Sequence, residues 1–146
     1  ETIKSRALEV KIILSEKQRL EIINKLINLH KLDLILDPKS SQLSPGNFVK
    51  FNFICREYDI LPTNNFKENL SLLLDLYKKK KDILIINLLF HLTDQYLKYI
   101  KDENLFNNDK IFEIKNYIFD NLNNFIFYNI NQNSLINAIN EKLSDE

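Results

Sequence analysis

Apolar positions recur at helical intervals through most of the chain. Phe66, Leu70, Leu73, Leu74 and Tyr77 fall at i, i+4, i+7, i+8 and i+11, a spacing that gathers side chains on one face of a 3.6-residue repeat. Ile83, Ile86, Leu89, Phe90, Leu97 and Ile100 predict a second, longer helix with apolar residues nearly all round, so a central one. Ile111, Ile114, Ile118, Leu122 and Phe125 predict a third, and Leu135, Ile139 and Leu143 a short fourth. The links between them are short, which favours antiparallel neighbours in a bundle.

The first half is more varied. Residues 8–14, within "ALEVKIIL", partly alternate and contain β-branched residues, which predicts a short strand. No partner strand is evident in the rest of the chain, so its sheet is expected in a preceding domain. Ser15 then opens a helix: Gln18 stands three residues on, a capping-box spacing in which each side chain satisfies the other's unpaired backbone donor. Leu20, Ile23, Leu26, Ile27 and His30 follow at helical intervals. "LDLILDPKSS" reads as a short strand or as a helical turn before Pro38. In "LSPGNFVKF", Ser44 is a cap and Pro45 suits the first turn, where its missing N–H would be unpaired anyway. That helix is expected to run from Asn47 to about Arg56. Gly46 is the chain's one glycine, which points to a close backbone approach or helix packing. Pro62 and the asparagines around it interrupt the pattern at residues 57–65.

Composition narrows the function. The chain has 146 residues, 45% hydrophobic and 27% charged, enough for a buried core and unlike a disordered segment. Twenty basic and twenty acidic side chains cancel, which argues against attachment to DNA or anionic membrane by bulk charge. The longest apolar run, "ILIINLLFHL", is about half a membrane span. The charged opening is unlike a secretory leader, and the single cysteine fits a reducing cytoplasm. Methionine is absent, from which the chain is expected to be a piece of a longer protein. The abundance of Ile, Asn, Lys and Phe matches AT-rich codons, so the asparagines are not read as prion-like.

Most catalytic templates fail. A phosphate-cradling loop needs several glycines, so no nucleotide cofactor is expected to bind here. Neither His30 nor His91 has a second ligand at metal-site spacing, so no metal is expected either. Cys55 falls late in an apolar helix and reads as a buried structural thiol. His91 reads as a core or interface histidine, and His30 as a helix-end residue favoured by the dipole. Lys78–Lys81 form a helix-end basic run, solvated, with a contact to nucleic acid or a partner as the second reading. Glu113 and Asp120 read as isolated surface carboxylates.

The order of these pieces resembles one family. "TIKSRALEVKI", a capped helix, "LSPGNFVKF" and a four-helix tail are similar to the C-terminal part of bacterial DNA polymerase III clamp-loader subunits of the delta-prime kind. Ser5-Arg6-Ala7 resembles that family's Ser-Arg-Cys motif, with Thr2 and Ile3 in pattern. Residues 43–49 resemble its "GSPGRAL" helix start, and "NINQNSLINAINEKL" its closing helix. Two departures stand out: Ala7 replaces the motif's cysteine, and Asn47 replaces an arginine that can sense nucleotide in ATP-binding relatives.

The resemblance implies a mainly all-α chain in three parts: residues 1–14 ending an AAA+ α/β core with its last strand, 15–60 a small helical lid, and 61–146 an antiparallel helical collar that oligomerises. It implies a cytoplasmic replication subunit, not catalytic by itself, that partners homologous clamp-loader subunits through collar helices and, through the full complex, the sliding clamp and primed DNA, with no membrane. It also implies that Arg6, next to Ser5, reaches the ATP of a neighbouring subunit as a trans arginine finger, where a cation stabilises the transferring phosphoryl group. The rival reading is a stand-alone α-helical interaction module, with residues 8–14 as a terminal arm.

Overall fold

The computed structural model describes residues 13–39, 41–62, 65–103 and 105–144, and among them it is all-α. Six helices follow in order: α1 (Glu16–His30), α2 (Pro45–Glu57), α3 (Phe66–Lys80), α4 (Ile83–Asp102), α5 (Asn108–Tyr128) and α6 (Gln132–Ser144). Of the strand expected over residues 8–14, residues 8–12 lie outside the described residues, while Ile13 and Leu14 are exposed and not in a strand. The chain divides into two compact units between Phe53 and Ile54, within α2.

In the first unit, α1 starts at the capping box: the Ser15 N–H donates to Gln18 Oε1 at 3.0 Å and the Gln18 N–H to Ser15 Oγ at 3.3 Å. It ends at Lys31, whose φ of 49° is left-handed. The Leu32 N–H bonds back to the Ile27 carbonyl at 3.1 Å, the closing bond of a Schellman motif. Before Pro38, "LDLILDPKSS" forms neither a strand nor a helical turn, only bends at Ile35 and Leu36; a single turn follows, with the Ser41 N–H donating to the Asp37 carbonyl at 3.2 Å. Side chains hold this irregular path. Asn52 Oδ1 accepts the N–H groups of Ile35 and Leu36 at 2.9 and 3.0 Å, and Asn52 Nδ2 donates to the Phe48 carbonyl at 2.8 Å. Arg19 spans from α1 to the carbonyls of Pro38 at 3.0 Å and Leu43 at 3.4 Å. Ile23, Leu36, Phe48 and Phe51 fill the core beneath.

Gly46 does not play the expected part. It sits in the first turn of α2 with open space where a Cβ would be, and its φ is not in the left-handed region. Neither packing nor conformation calls for glycine there.

The second unit is an up-and-down bundle. Helix α3 packs on α4, α4 on α5, α5 on α6, and α6 returns to α3. The direction of each helix follows from what its ends touch. Phe66 at the start of α3 stacks on Tyr96 in the later half of α4. Lys115 early in α5 pairs with Asp94 at 2.7 Å. Lys142 near the end of α6 pairs with Glu113 early in α5 at 2.5 Å. Gln132, opening α6, donates to Asp75 near the end of α3 at 2.8 Å. Every neighbouring pair therefore runs antiparallel, as short links require.

The interior follows the predicted stripes. Leu70, Leu73, Leu74, Ile86, Leu89, Ile114, Ile118, Leu122, Leu135 and Ile139 are all buried, each such side chain contributing about 1.5–3 kcal/mol relative to exposure. Asparagine and aspartate begin all four helices: Asn65, Asp82, Asn107 and Asn131 each accept a backbone N–H of the first turn.

Candidate functional site

Ser5 and Arg6, the residues on which the resemblance puts the catalytic contact, lie outside the described residues. The lid-like signature is described. Ser44 begins α2, its Oγ accepting the Asn47 N–H at 3.4 Å and its carbonyl accepting that of Phe48 at 2.9 Å. Asn47 stands half-buried in this first turn. A neutral carboxamide there carries no charge to offer a phosphate, unlike the arginine of the resembling motif.

The basic run is dispersed. Four consecutive residues wrap round a helix end at about 100° each, and three of these lysines lie over aromatic rings. Lys78 lies 5.7 Å from the centre of Phe125, Lys80 4.8 Å from Tyr58 and Lys81 5.4 Å from Tyr77. Lys80 also binds Glu57 at 3.3 Å. The Tyr58 hydroxyl, donating at 2.6 Å, and then Lys80 hold the Glu57 carboxyl below its ordinary range. All three helix-end lysines Lys78, Lys79 and Lys80 complement the C-terminal dipole of α3. Such an arrangement anchors the ends of α2 and α3 within the second unit and does not form one cationic face.

Cys55 is fully buried, and burial pushes its thiol up to about 12. It stays protonated at neutral pH and is no nucleophile. His91 is half-buried on α4; desolvation lowers its pKa against the opposing pull of Asp94. Glu113 and Asp120 are exposed on α5, and Glu113, held below the ordinary carboxyl range by the Lys142 hydrogen bond, is not isolated but paired. Among the described residues, no group of three His, Cys, Asp or Glu side chains is placed to hold a metal ion. No helix among them is long and apolar enough to cross a membrane.

What the second unit presents outward is aromatic at both ends of α5. Phe112 near its start and Phe127 and Tyr128 at its end are two-thirds or more exposed, with exposed Asn116, Asp120, Asn123 and Asn124 between. Fifteen residues separate Phe112 from Phe127, about 22 Å along a helix. Exposed aromatics of this size, placed on a rigid helix, suit contact with another protein.

Residues that periodicity did not single out are Gln95, Tyr96 and Tyr99 on α4. They meet Asn65, Phe66 and Asn69 at the start of α3 around a cleft of about 710 Å³. The available signal is the tyrosine pair itself, three residues apart and so neighbours on a helix, since a half-buried tyrosine such as Tyr96 brings a polar tip that needs a partner.

The described residues thus define an all-α protein: a small two-helix unit and an up-and-down four-helix unit. Comparison with protein-family models, with curated proteins and with solved structures returned no match.

Proposed function

We propose that the chain is the C-terminal part of a DNA polymerase III clamp-loader subunit of the delta-prime kind, a cytoplasmic replication protein that helps load the sliding clamp onto primed DNA. The observation that carries this reading is the order of pieces: "KSRALEVKI", a capped helix, a Ser-Pro-Gly helix start, then four helices in a bundle. On this reading the second unit is the collar, and the exposed Phe112, Phe127 and Tyr128 are contacts to homologous subunits. Arg6, beside Ser5, acts in trans on a neighbour's ATP, its fork of donors holding phosphate oxygens. On this reading the chain is not itself catalytic, and its part in ATP hydrolysis is made through Arg6 on the neighbour's nucleotide.

The test is the full-length protein carrying Arg6→Ala, assembled with the loader's ATPase subunits. Removing an arginine finger lowers turnover by up to about 10³–10⁵-fold in well-defined cases, so clamp-stimulated ATP hydrolysis should fall at least about tenfold. Unchanged hydrolysis would refute the finger role. The exposed aromatics of α5 equally favour a second reading, a stand-alone helical interaction module without enzymatic activity. The encoded sequence upstream of Glu1 separates the two: the first reading requires an α/β domain there.

A further inference from the structure

The cleft between α3 and α4 has features that neither reading uses. Phe66 and Tyr96 stack face to face with ring centres 4.5 Å apart and planes 4° from parallel, so each covers one face of the other and the pair forms a rigid aromatic side to the cleft. Tyr99, one turn on, extends the aromatic surface, and Leu92 and Pro62 complete an apolar lining. Its polar groups are the carboxamides of Asn65, Asn69 and Gln95 and the hydroxyls of the two tyrosines. Asn69 is buried, and its Nδ2 donates to the Leu61 carbonyl at 2.9 Å, which orients the amide. Asn65 Oδ1 caps the Lys67 N–H at 3.0 Å, which fixes that side chain too. The volume of about 710 Å³ is of the size that holds a small molecule.

The decisive feature is charge. Among the described residues, no Lys, Arg, His, Asp or Glu lines this cleft. The Tyr96 phenol is pushed upward by desolvation, so it too stays neutral. A charged ligand entering would lose its hydration with no countercharge to replace it. The exposed Tyr99 ring beside the stacked pair rewards a ring laid on it, and the carboxamides reward a ring whose edge carries hydrogen-bonding groups. We propose that the cleft formed by Phe66, Asn69, Gln95, Tyr96 and Tyr99 is a binding site for a neutral, planar heteroaromatic small molecule, a free base or nucleoside lacking phosphate. This proposal stands independently of the clamp-loader reading.

Indole makes a convenient probe, because the chain contains no tryptophan and indole emission therefore reports the probe alone. Titration of the protein into indole should give saturable binding, and adenosine should displace it. Indole-3-acetate and adenosine monophosphate should bind at least tenfold more weakly. Tyr99 is 58% exposed, so Tyr99→Ala should leave the helical circular dichroism intact yet weaken indole about tenfold, the scale of one stacking contact. Gln95→Glu should turn the preference round, so that cationic tryptamine binds better than indole. Equal affinity for neutral and charged probes, an unchanged affinity in Tyr99→Ala, or no saturation by any probe would each overturn the proposal. So would binding of N-acetyl-phenylalanine amide in place of indole, which would mark a peptide site.

Discussion

The carboxamide oxygen of Asn52 accepts the backbone N–H of Leu36 at 3.0 Å, inside the first unit. The same atom takes the Ile35 N–H, and the amide nitrogen holds the Phe48 carbonyl. One side chain on α2 thus fixes the irregular segment after α1. Asn52→Leu has a similar volume but no acceptor, so it leaves backbone donors unpaired in a buried place. The expected loss is about 1–3 kcal/mol, read by urea unfolding, with faster hydrogen exchange at the Ile35 and Leu36 amides. Wild-type exchange at those two amides would show that the segment is held by something else.

Glycine is used where it is not needed and missing where it would help. Lys31, Asp59, Lys81 and Asn129 all have φ near +50°, a conformation that is costly for residues with a Cβ, while Gly46 sits in an ordinary helical turn. Gly46→Ala should therefore stabilise by about 0.4–1 kcal/mol, through a less flexible unfolded chain. Lys31→Gly should also stabilise, because the left-handed strain of about 1–2 kcal/mol exceeds the roughly 0.5–1 kcal/mol entropic cost of glycine. Thermal melts of the two variants check both signs, and a fall in Tm for Gly46→Ala would mean that α2 starts differently.

His91 sets an expected pH dependence. Its folded pKa lies below the usual 6.5 because burial disfavours the imidazolium more than Asp94 favours it. Between the folded and unfolded values the unfolded state binds more protons, so stability rises with pH there. The contribution is present above about pH 6.5 and is lost as pH falls through the folded value. An NMR titration of the His91 ring should give a midpoint below 6.5, and a midpoint above it would contradict the burial argument.

Cys55, with a thiol pushed up to about 12 and no exposure, should resist iodoacetamide in the native protein and react once urea unfolds it. Rapid native alkylation, followed by mass spectrometry of the tryptic peptide, would show that the end of α2 opens readily.

Local chemistry was the legible part of this molecule. The Ser15–Gln18 box depends on four residues, and the stripes through Leu70, Ile86, Ile118 and Ile139 depend only on helical periodicity, so both could be read before any fold was known. Asn52 could not be found that way. In a chain rich in asparagine its role depends on a loop sixteen residues away, and composition hid it. Gly46 points the wrong way for a related reason: scarcity of a residue type is not a sign that its position requires it. Tyr96 and Tyr99 become a site only when α3 returns beside α4. Ser5-Arg6, on which the clamp-loader proposal puts its catalytic contact, lies outside the described residues, and what supports that proposal is the order of the pieces that follow.

That order makes a claim about partners, and co-purification tests it most directly. The full-length protein, expressed with the clamp-loader ATPase subunits of its own organism, should elute from size exclusion as one hetero-oligomer with them and lose that association when Phe112 and Phe127 are both changed to serine. Elution of the unaltered full-length protein by itself, with the ATPase subunits in a separate peak, would contradict the clamp-loader account.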